Sequence, residues 1–263
     1  MKSIVNNLMV YDSLYNSSFY IDDYLISYYR SYTDYIDTNT IDYVKKVIEK
    51  DIIDYMELDC RLTKDNRILI SHDNDLIING KHVKITDTNY YELTRNSNLV
   101  SLDRVVARKI PKIITLNIRF DNNCEQFCEE LNKVLGEQNH KLFIIQSSDI
   151  VGLRYIKEHS DFECQLVIDD KSKLDYINEF NRVSINRHLF DERVYNELLQ
   201  SKRRITVYPV NSEDDFYQVT NVLKDNYKDI IYSTNDPSLI VRLLDERKEK
   251  VSERQLWNIN GYY

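Results

Sequence analysis

Residues 54–73 read DYMELDCRLTKDNRILISHD, and this stretch holds three side chains suited to catalysis or to metal binding. Glu57 and Asp59 lie two positions apart in the β-like run 55–60, so both carboxylates project from the same face of a strand. His72 follows at the end of the next apolar run. Two acids and a histidine that neighbouring strands deliver are the raw material of a metal site or of an acid–base site.

Apolar β-like runs alternate with amphipathic helical stretches on both sides of this segment. The predicted strands are 24–29, 55–60, 112–120, 142–146, 164–168, 183–186, 205–208 and 230–233. The predicted helices between and after them are 39–50, 124–135, 150–158, 172–180, 191–199, 212–225 and 237–246. This alternation favours a parallel sheet, and its eight units favour closure into a (β/α)8 TIM barrel, which typically needs about 250 residues. The chain is therefore predicted to be α/β, with one barrel domain over residues 1–263.

Two segments depart from the alternation. Residues 61–110 are predicted to form a small insertion after the second strand, with a turn at Asn79-Gly80 and a helix over 102–108. Residues 250–263 are predicted to form a C-terminal tail rich in aromatic side chains. The tail could dock on the barrel or contact a partner, and docking is the favoured interpretation.

The third predicted strand has one polar face. Its odd positions Thr115, Asn117 and Arg119 are polar while its even positions are apolar, which predicts that the polar set faces the barrel interior. Chemistry in such barrels lies at the carboxyl ends of the strands, so Arg119 is predicted beside Glu57 and Asp59. Because buried charges cost several kcal/mol unless they are paired, we expect these three groups to pair with one another.

Composition excludes some classes of partner. The formal charge of -8 argues against nucleic acid, whose phosphates need a basic face, although a local cluster of Arg and Lys could still bind phosphate. No stretch approaches the ~20 apolar residues of a membrane span, and the N-terminus has no apolar core of a secretory signal. The four cysteines show no metal-binding spacing and are expected to be reduced, so we expect a cytoplasmic protein. The oligomeric state does not follow from the sequence.

The opening stretch also resembles a family motif. ELDCRLTKD at residues 57–65 and SHD at 71–73 resemble the glycerophosphodiester phosphodiesterase family, whose motif reads Glu-Leu-Asp-x-x-Leu-Thr-Lys-Asp and then His-Asp. Weaker similarities follow the family's order at 38–40, 102–107, 207–211 and 234–237. The resemblance covers roughly residues 24–245 and implies a TIM barrel of the phospholipase C-like phosphodiesterase type.

The resemblance implies cleavage of a phosphodiester that joins glycerol to an alcohol, as in lipid metabolism. In the family, two histidines act as general acid and base, and carboxylates hold Ca²⁺ or Mg²⁺, hard cations that prefer oxygen ligands. By position, Glu57 and Asp59 match metal ligands and His72 matches the second catalytic histidine. Arg30 matches a phosphate contact, whereas Tyr29 stands at the position of the first histidine.

Other positions also depart from the family. Arg119 stands where the family has a further metal carboxylate, and Asp121 stands where it has a lysine. A guanidinium cannot ligate a metal, but it stays protonated and pairs with carboxylates and phosphates. The phenol of Tyr29 has an ordinary pKa of about 10, so it is a weak base at neutral pH. These changes predict a degenerate active site in which Arg119 replaces the metal ion.

The favoured interpretation is a pseudoenzyme that binds a phosphodiester or phosphate ester through Arg30, His72 and Arg119, with no cofactor expected. The alternative is an active phosphoric diester hydrolase that cleaves a glycerophospho group, lipid-derived or polysaccharide-linked, with His72 as acid or base. Ca²⁺ or Mg²⁺ is expected only in that case. A third interpretation, a structural protein that binds a partner through its aromatic tail, has only the fold in its favour.

Overall fold

The structure, a computed structural model, describes residues 25–28, 44–45, 53–95, 97–108, 110, 112–121, 123–136, 138, 140–224, 226–227 and 229–260. The strands in these ranges are β1 (Leu25–Tyr28), β2 (Tyr55–Leu62), β3 (Ile68–Ile70), β4 (Asp75–Ile78), β5 (Lys81–Lys84), β6 (Ile113–Ile118), β7 (Phe143–Ser147), β8 (Glu163–Ile168), β9 (Arg182–Asn186), β10 (Arg204–Tyr208) and β11 (Ile230–Thr234).

Eight of these strands form a closed parallel barrel, which confirms the predicted fold. They lie side by side in the order β1, β2, β6, β7, β8, β9, β10 and β11, and β11 pairs with β1 to close the barrel. Each predicted strand corresponds to one barrel strand, with its ends shifted by at most two residues. Parallel strands bring all their carboxyl ends to the same rim, where barrel sites are built.

The α-helices of the described part are α1 (Tyr90–Thr94), α2 (Leu102–Val106), α3 (Cys124–Leu135), α4 (Ile150–His159), α5 (Glu192–Gln200), α6 (Glu213–Leu223) and α7 (Pro237–Asn260). Asp149, Asp191 and Ser212 accept hydrogen bonds from backbone N–H groups in the first turns of α4, α5 and α6. These caps start the helices soon after the preceding strands end. Among the helices that the structure describes, none combines the length and the apolar character needed to cross a membrane.

The connection between β8 and β9 differs from the prediction. Instead of an α-helix over 172–180, it contains a 3-10 helix, Lys171–Tyr176, followed by turns. The apolar side chains Leu174, Ile177 and Phe180 recur every third residue and pack on the core. Leu174 lies in the 3-10 helix, which has three residues per turn, and packing on the core places Ile177 and Phe180 in the turns that follow, so no α-helix forms.

The two chain ends are described in part. Of the helix predicted over 39–50, residues 44–45 are described, and they are helical. The last helix does not end at residue 246, because α7 continues to Asn260 and takes in most of the predicted tail. The aromatic residues Tyr262 and Tyr263 lie outside the described residues, so docking of the tail stays a prediction.

The insertion forms a small lobe beside β2. Past the barrel rim, β2 pairs antiparallel with β3, and the hairpin β4–β5 follows. The hairpin turn residues Asn79 and Gly80 have φ angles of 51° and 75°, which confirms the predicted turn. The lobe has its own buried cluster of Leu69, Ile85, Leu93 and Leu99. It therefore holds the turn after β3, which carries His72, at the barrel rim.

Phe120, just after β6, packs tightly between the barrel and the helices that surround it. Phe120 packs edge-on against Phe127 of α3, with ring centroids 5.6 Å apart. Its ring also covers Gly152 of α4, where a Cβ would lie 2.3 Å from the ring. The apolar positions of this strand thus face the helices, as predicted, and leave its polar positions to the interior.

A buried ion pair fills the amino end of the barrel. The side chain of Arg182 is fully buried, and its Nε lies 2.8 Å from Glu163 Oε2. Its guanidinium carbon Cζ lies 5.9 Å from the ring centre of Tyr55. All three residues begin their strands. The interior is therefore closed at this end and open at the carboxyl rim.

Candidate functional site

A cavity of about 310 Å³ opens at the carboxyl rim of the barrel. It is lined by Glu57, Asp59, His72, Asn117, Arg119, Gln146, Ser148, Val167, Asp169, Ser184, Tyr208, Pro209 and Ser233. Four of the residues singled out in the sequence therefore line one cavity: Glu57, Asp59, His72 and Arg119. Tyr29 and Arg30, the other two, lie outside the described residues.

Asp59 takes its partner from the next strand. The register of β2 and β6 sets Glu57 opposite Thr115 and Asp59 opposite Asn117. Asn117, which is 8% exposed, donates a hydrogen bond from Nδ2 to Asp59 Oδ1 over 2.8 Å. A neutral amide thus stabilises one of the two carboxylates at the mouth.

Arg119 lines the same cavity, but its predicted pairing is wrong. Among the described residues, no carboxylate oxygen lies within 4.0 Å of its guanidinium, so it forms no ion pair with Glu57 or Asp59. Its backbone N–H donates to Cys60 O over 3.0 Å, which extends the pairing of β2 and β6 beyond the strand ends. Asp59 Oδ1 accepts from Asn117 instead, and because Arg119 is only half-buried at the rim, its charge does not need the carboxylate partner that a fully buried charge needs.

His72 lies in the turn after β3. Its Nδ1 is 2.5 Å from Asp73 Oδ1, and its side chain is 37% exposed. The backbone of the turn is anchored to the site strand, because Ser71 N–H donates to Asp59 O over 2.9 Å. An imidazole oriented by a carboxylate is an arrangement suited to proton transfer.

A second, outer cavity of about 420 Å³ adjoins the mouth and is lined by Arg61, His72, Asp73, Asn74, Asp75 and Arg119. His72 and Arg119 line both cavities and so stand at their boundary. Asp121 pairs with Arg61 Nη1 at 2.8 Å and so links the end of β2 to the loop after β6.

The described side chains do not fit an oxygen-coordinated dication. Glu57 and Asp59 supply carboxylates, but the guanidinium of Arg119 brings a positive charge into the same cavity. Within the described ranges, no three His, Cys, Asp or Glu side chains come close enough to hold a metal ion. Such ions need six or more oxygen ligands in total and are held by several acids.

Cys60 is excluded as a nucleophile or a metal ligand. Burial raises the pKa of its thiol well above the ordinary value, and the neighbouring Asp59 carboxylate raises it further. The thiol therefore stays protonated at neutral pH.

Several residues that line the cavity were not predicted from the sequence. Asp169 lines it and pairs with Lys173 Nζ at 2.5 Å, and the neighbouring Asp170 caps the following 3-10 helix by accepting from Ser172 N–H. Asn186 and Asn211, at the same rim, accept hydrogen bonds from backbone N–H groups of the rim loops. The inward polar positions Gln146, Ser184 and Ser233 follow the same alternation as Asn117, and that period is the signal that could have found them.

Comparison with known proteins identifies relatives of this chain. The profile of the glycerophosphoryl diester phosphodiesterase family matches residues 29–226. No protein with a curated description matches the chain.

Solved structures share the fold at low sequence identity. A candidate glycerophosphodiester phosphodiesterase from Galdieria sulphuraria superposes with a TM-score of 0.74 and 18% identity, over 85% of this chain and 98% of that one. An Oleispira antarctica phosphodiesterase in complex with the product sn-glycerol-3-phosphate gives 0.70 and 14%, over 85% and 97%. A glycerophosphodiester phosphodiesterase from Thermotoga maritima gives 0.64 and 20%, over 86% and 100%.

Proposed function

Because this chain belongs to the glycerophosphoryl diester phosphodiesterase family, we propose that its barrel mouth binds a glycerophosphate ester through the protein's own cationic side chains. The observation that carries the proposal is Arg119. Its guanidinium lines the cavity beside Glu57 and Asp59 and, within the described residues, has no ion-pair partner. A guanidinium fork held at a cavity mouth is suited to binding a phosphate group.

The cavity offers complementary groups for both halves of such a ligand. The phosphate lies between Arg119 and His72, which stand at the boundary of the two cavities. Glu57 and Asp59 would repel a phosphate, so they accept hydrogen bonds from the glycerol hydroxyls. The volume of about 310 Å³ is at the lower end of the range for small-molecule pockets. The sn-glycerol-3-phosphate bound to the Oleispira antarctica relative supports this ligand class.

The two residues outside the described ranges keep the roles proposed from the sequence. Arg30 adds a second phosphate contact, and Tyr29 stands at the position of the family's first histidine. Losing one acid–base partner typically costs about 10²–10⁴-fold in rate. Ordinary metal-dependent hydrolysis is therefore proposed to be lost or very weak.

A second candidate function rests on His72. The contact between His72 Nδ1 and Asp73 Oδ1 orients the imidazole as in acid–base sites. In an active hydrolase that cleaves a glycerophospho group, an oxygen of water or of a glycerol hydroxyl would form a new bond to phosphorus while the imidazolium gives its proton to the departing alcohol oxygen, and the proton of the attacking hydroxyl would return to the imidazole. Glu57 and Asp59 would be the ligands for any Ca²⁺ or Mg²⁺, which would neutralise phosphate charge, a role that the charge of Arg119 opposes.

Calorimetric titration with sn-glycerol 3-phosphate in the presence of a chelator tests the proposal. We expect binding without a metal, and binding at least about tenfold weaker in Arg119→Met, because a charge-assisted hydrogen bond is lost. Arg154→Met is the matched control, since Arg154 pairs with Glu179 on the exposed side of α4. Equal affinities of Arg119→Met and wild type, or binding only after Ca²⁺ or Mg²⁺ is added, would contradict the proposal.

A hydrolysis assay separates the two functions. Glycerophosphocholine is incubated with the protein, with and without Ca²⁺ or Mg²⁺. Metal-dependent turnover that His72→Ala abolishes would establish the active hydrolase, whereas no turnover alongside ligand binding supports the binding function.

A further inference from the structure

We propose that Arg61 is a positioning residue that fixes the imidazole of His72 at the boundary of the two cavities. Arg61 was not among the residues singled out in the sequence. It lies near the end of β2, where the strand leaves the barrel for the inserted lobe. Its side chain is 13% exposed, so the guanidinium is largely shielded from solvent.

The guanidinium of Arg61 is fully oriented by contacts on two sides. Nε and Nη2 donate to the backbone carbonyl of His72 over 3.0 and 2.9 Å. Nη1 donates to Asp121 Oδ2 over 2.8 Å. Three of its five N–H donors therefore bond to the protein, which assigns Arg61 to holding the turn.

These contacts hold the turn that carries His72. Inside the turn, Ser71 Oγ donates to Asp73 O over 2.9 Å, and Asp73 contacts the imidazole. Two hydrogen bonds to a single carbonyl fix the orientation of the peptide plane after His72. Together with the Ser71 N–H bond to Asp59 O, these contacts of Arg61 set the direction in which the imidazole leaves the backbone.

The same guanidinium links this turn to the loop that carries Arg119. Asp121 lies two residues after Arg119, in a left-handed backbone conformation with φ of 48°. Through Arg61, the position of Asp121 is coupled to the position of the His72 backbone. Arg61 therefore sets the spacing between His72 and Arg119, the two groups proposed to hold the phosphate.

The first test measures the imidazole without any ligand. In proton–nitrogen spectra, with the His72 signals assigned from His72→Gln, we expect Arg61→Met to shift and broaden the His72 ring resonances and to leave those of the other histidines unchanged. Asp121→Asn, which keeps Arg61 and removes its anchoring charge, should shift the same signals to a smaller extent. It also serves as the second variant if Arg61→Met does not fold.

Arg247→Met is the matched control for this test. Arg247 Nη2 also donates to backbone carbonyls, those of Thr220 and Lys224, at the carboxyl end of α6 and so at the opposite end of the barrel. Its replacement should leave the His72 signals in place. Unchanged His72 resonances in both Arg61→Met and Asp121→Asn would overturn the inference, as would equal shifts of all histidine signals.

The second test is a double-mutant cycle and rests on the proposed function. Arg61→Met should weaken binding of sn-glycerol 3-phosphate about tenfold in a protein that has His72, and should have a clearly smaller effect in His72→Gln, where only the contact to the Arg119 loop is lost. The same loss in both backgrounds would assign Arg61 a merely structural role and overturn the inference. If the wild-type protein binds no sn-glycerol 3-phosphate, the proposed function fails, and the spectra alone decide the role of Arg61.

Discussion

The side-chain amide of Asn117 donates a 2.8 Å hydrogen bond to Asp59 Oδ1 across the pairing of β2 and β6. Asp59 is one of the two carboxylates that the sequence pairs with Arg119, and the structure gives it a neutral donor. The guanidinium of Arg119 lines the cavity mouth.

Replacing Asn117 tests that hydrogen bond. In Asn117→Leu, Asp59 Oδ1 loses its donor, so we expect the free energy of unfolding to fall by about 1–3 kcal/mol in urea denaturation. Thr206→Val, at another buried polar position of the barrel, is the control. If Asn117→Leu costs no more than Thr206→Val, the hydrogen bond to Asp59 contributes nothing to stability.

Replacing Arg119 by glutamate tests the built-in cation. Arg119→Glu sets a third carboxylate beside Glu57 and Asp59, so we expect calorimetry to detect Ca²⁺ or Mg²⁺ binding at least about tenfold tighter than in wild type. Arg119→Gln, which removes the positive charge without adding an acid, should gain much less. Micromolar metal binding by the wild-type protein would contradict this prediction.

Adding Tyr29→His to Arg119→Glu should then raise hydrolysis of glycerophosphocholine.

Breaking the ion pair at the closed end of the barrel should destabilise the fold strongly. Arg182→Met leaves the Glu163 carboxylate without its guanidinium partner, and we expect a loss of about 3–5 kcal/mol in unfolding free energy. The exposed pair Arg154–Glu179 is a matched control, for which Arg154→Met should cost at most about 1 kcal/mol. Equal losses of unfolding free energy in Arg182→Met and Arg154→Met would show that the buried pair does not stabilise the barrel.

The inserted lobe should lose stability in acid. Burial by itself raises the pKa of Asp65, but hydrogen bonds from Thr63 Oγ1 and Tyr90 N–H bring that pKa below its ordinary value. A carboxyl with a lowered folded-state pKa stabilises the protein above its unfolded pKa of about 3.9, and this contribution is lost as the pH falls through the folded-state pKa.

We therefore expect the stability difference between wild type and Asp65→Asn to shrink as the pH is lowered from about 6 to about 2.5. Urea denaturation at several pH values measures this difference. Asp161→Asn, at an exposed carboxylate with no hydrogen bond among the described residues, should show no such trend. A difference that stays constant with pH would assign the effect of Asp65→Asn to something other than its ionisation.

Much of the fold was readable in the sequence because its signals are local. Runs of apolar residues predicted the barrel strands to within two residues, and Asn79-Gly80 predicted its turn, since only neighbouring residues decide these features. The connection at 172–180 was misread because its apolar residues fit an α-helical and a 3-10 stripe almost equally, and packing on the core decided between them.

The candidate site was likewise predictable only in part from the sequence. Sequence order predicted that Glu57, Asp59 and Arg119 would meet, because parallel strands end at one rim. His72 reaches the same rim from the turn after the antiparallel strand β3. Asp169 and Ser233 joined the same cavity from distant parts of the chain only when the barrel closed.

The sequence by itself determined the order of strands and helices and the chemical identity of the side chains at the rim, including the guanidinium of Arg119 near two carboxylates. The tertiary structure decided which of these side chains pair: Asn117 with Asp59, and Arg61 with both Asp121 and the backbone of His72. The reason is that hydrogen bonds and ion pairs depend on distances of a few ångströms, and the packing of β2, β6 and the inserted lobe sets those distances.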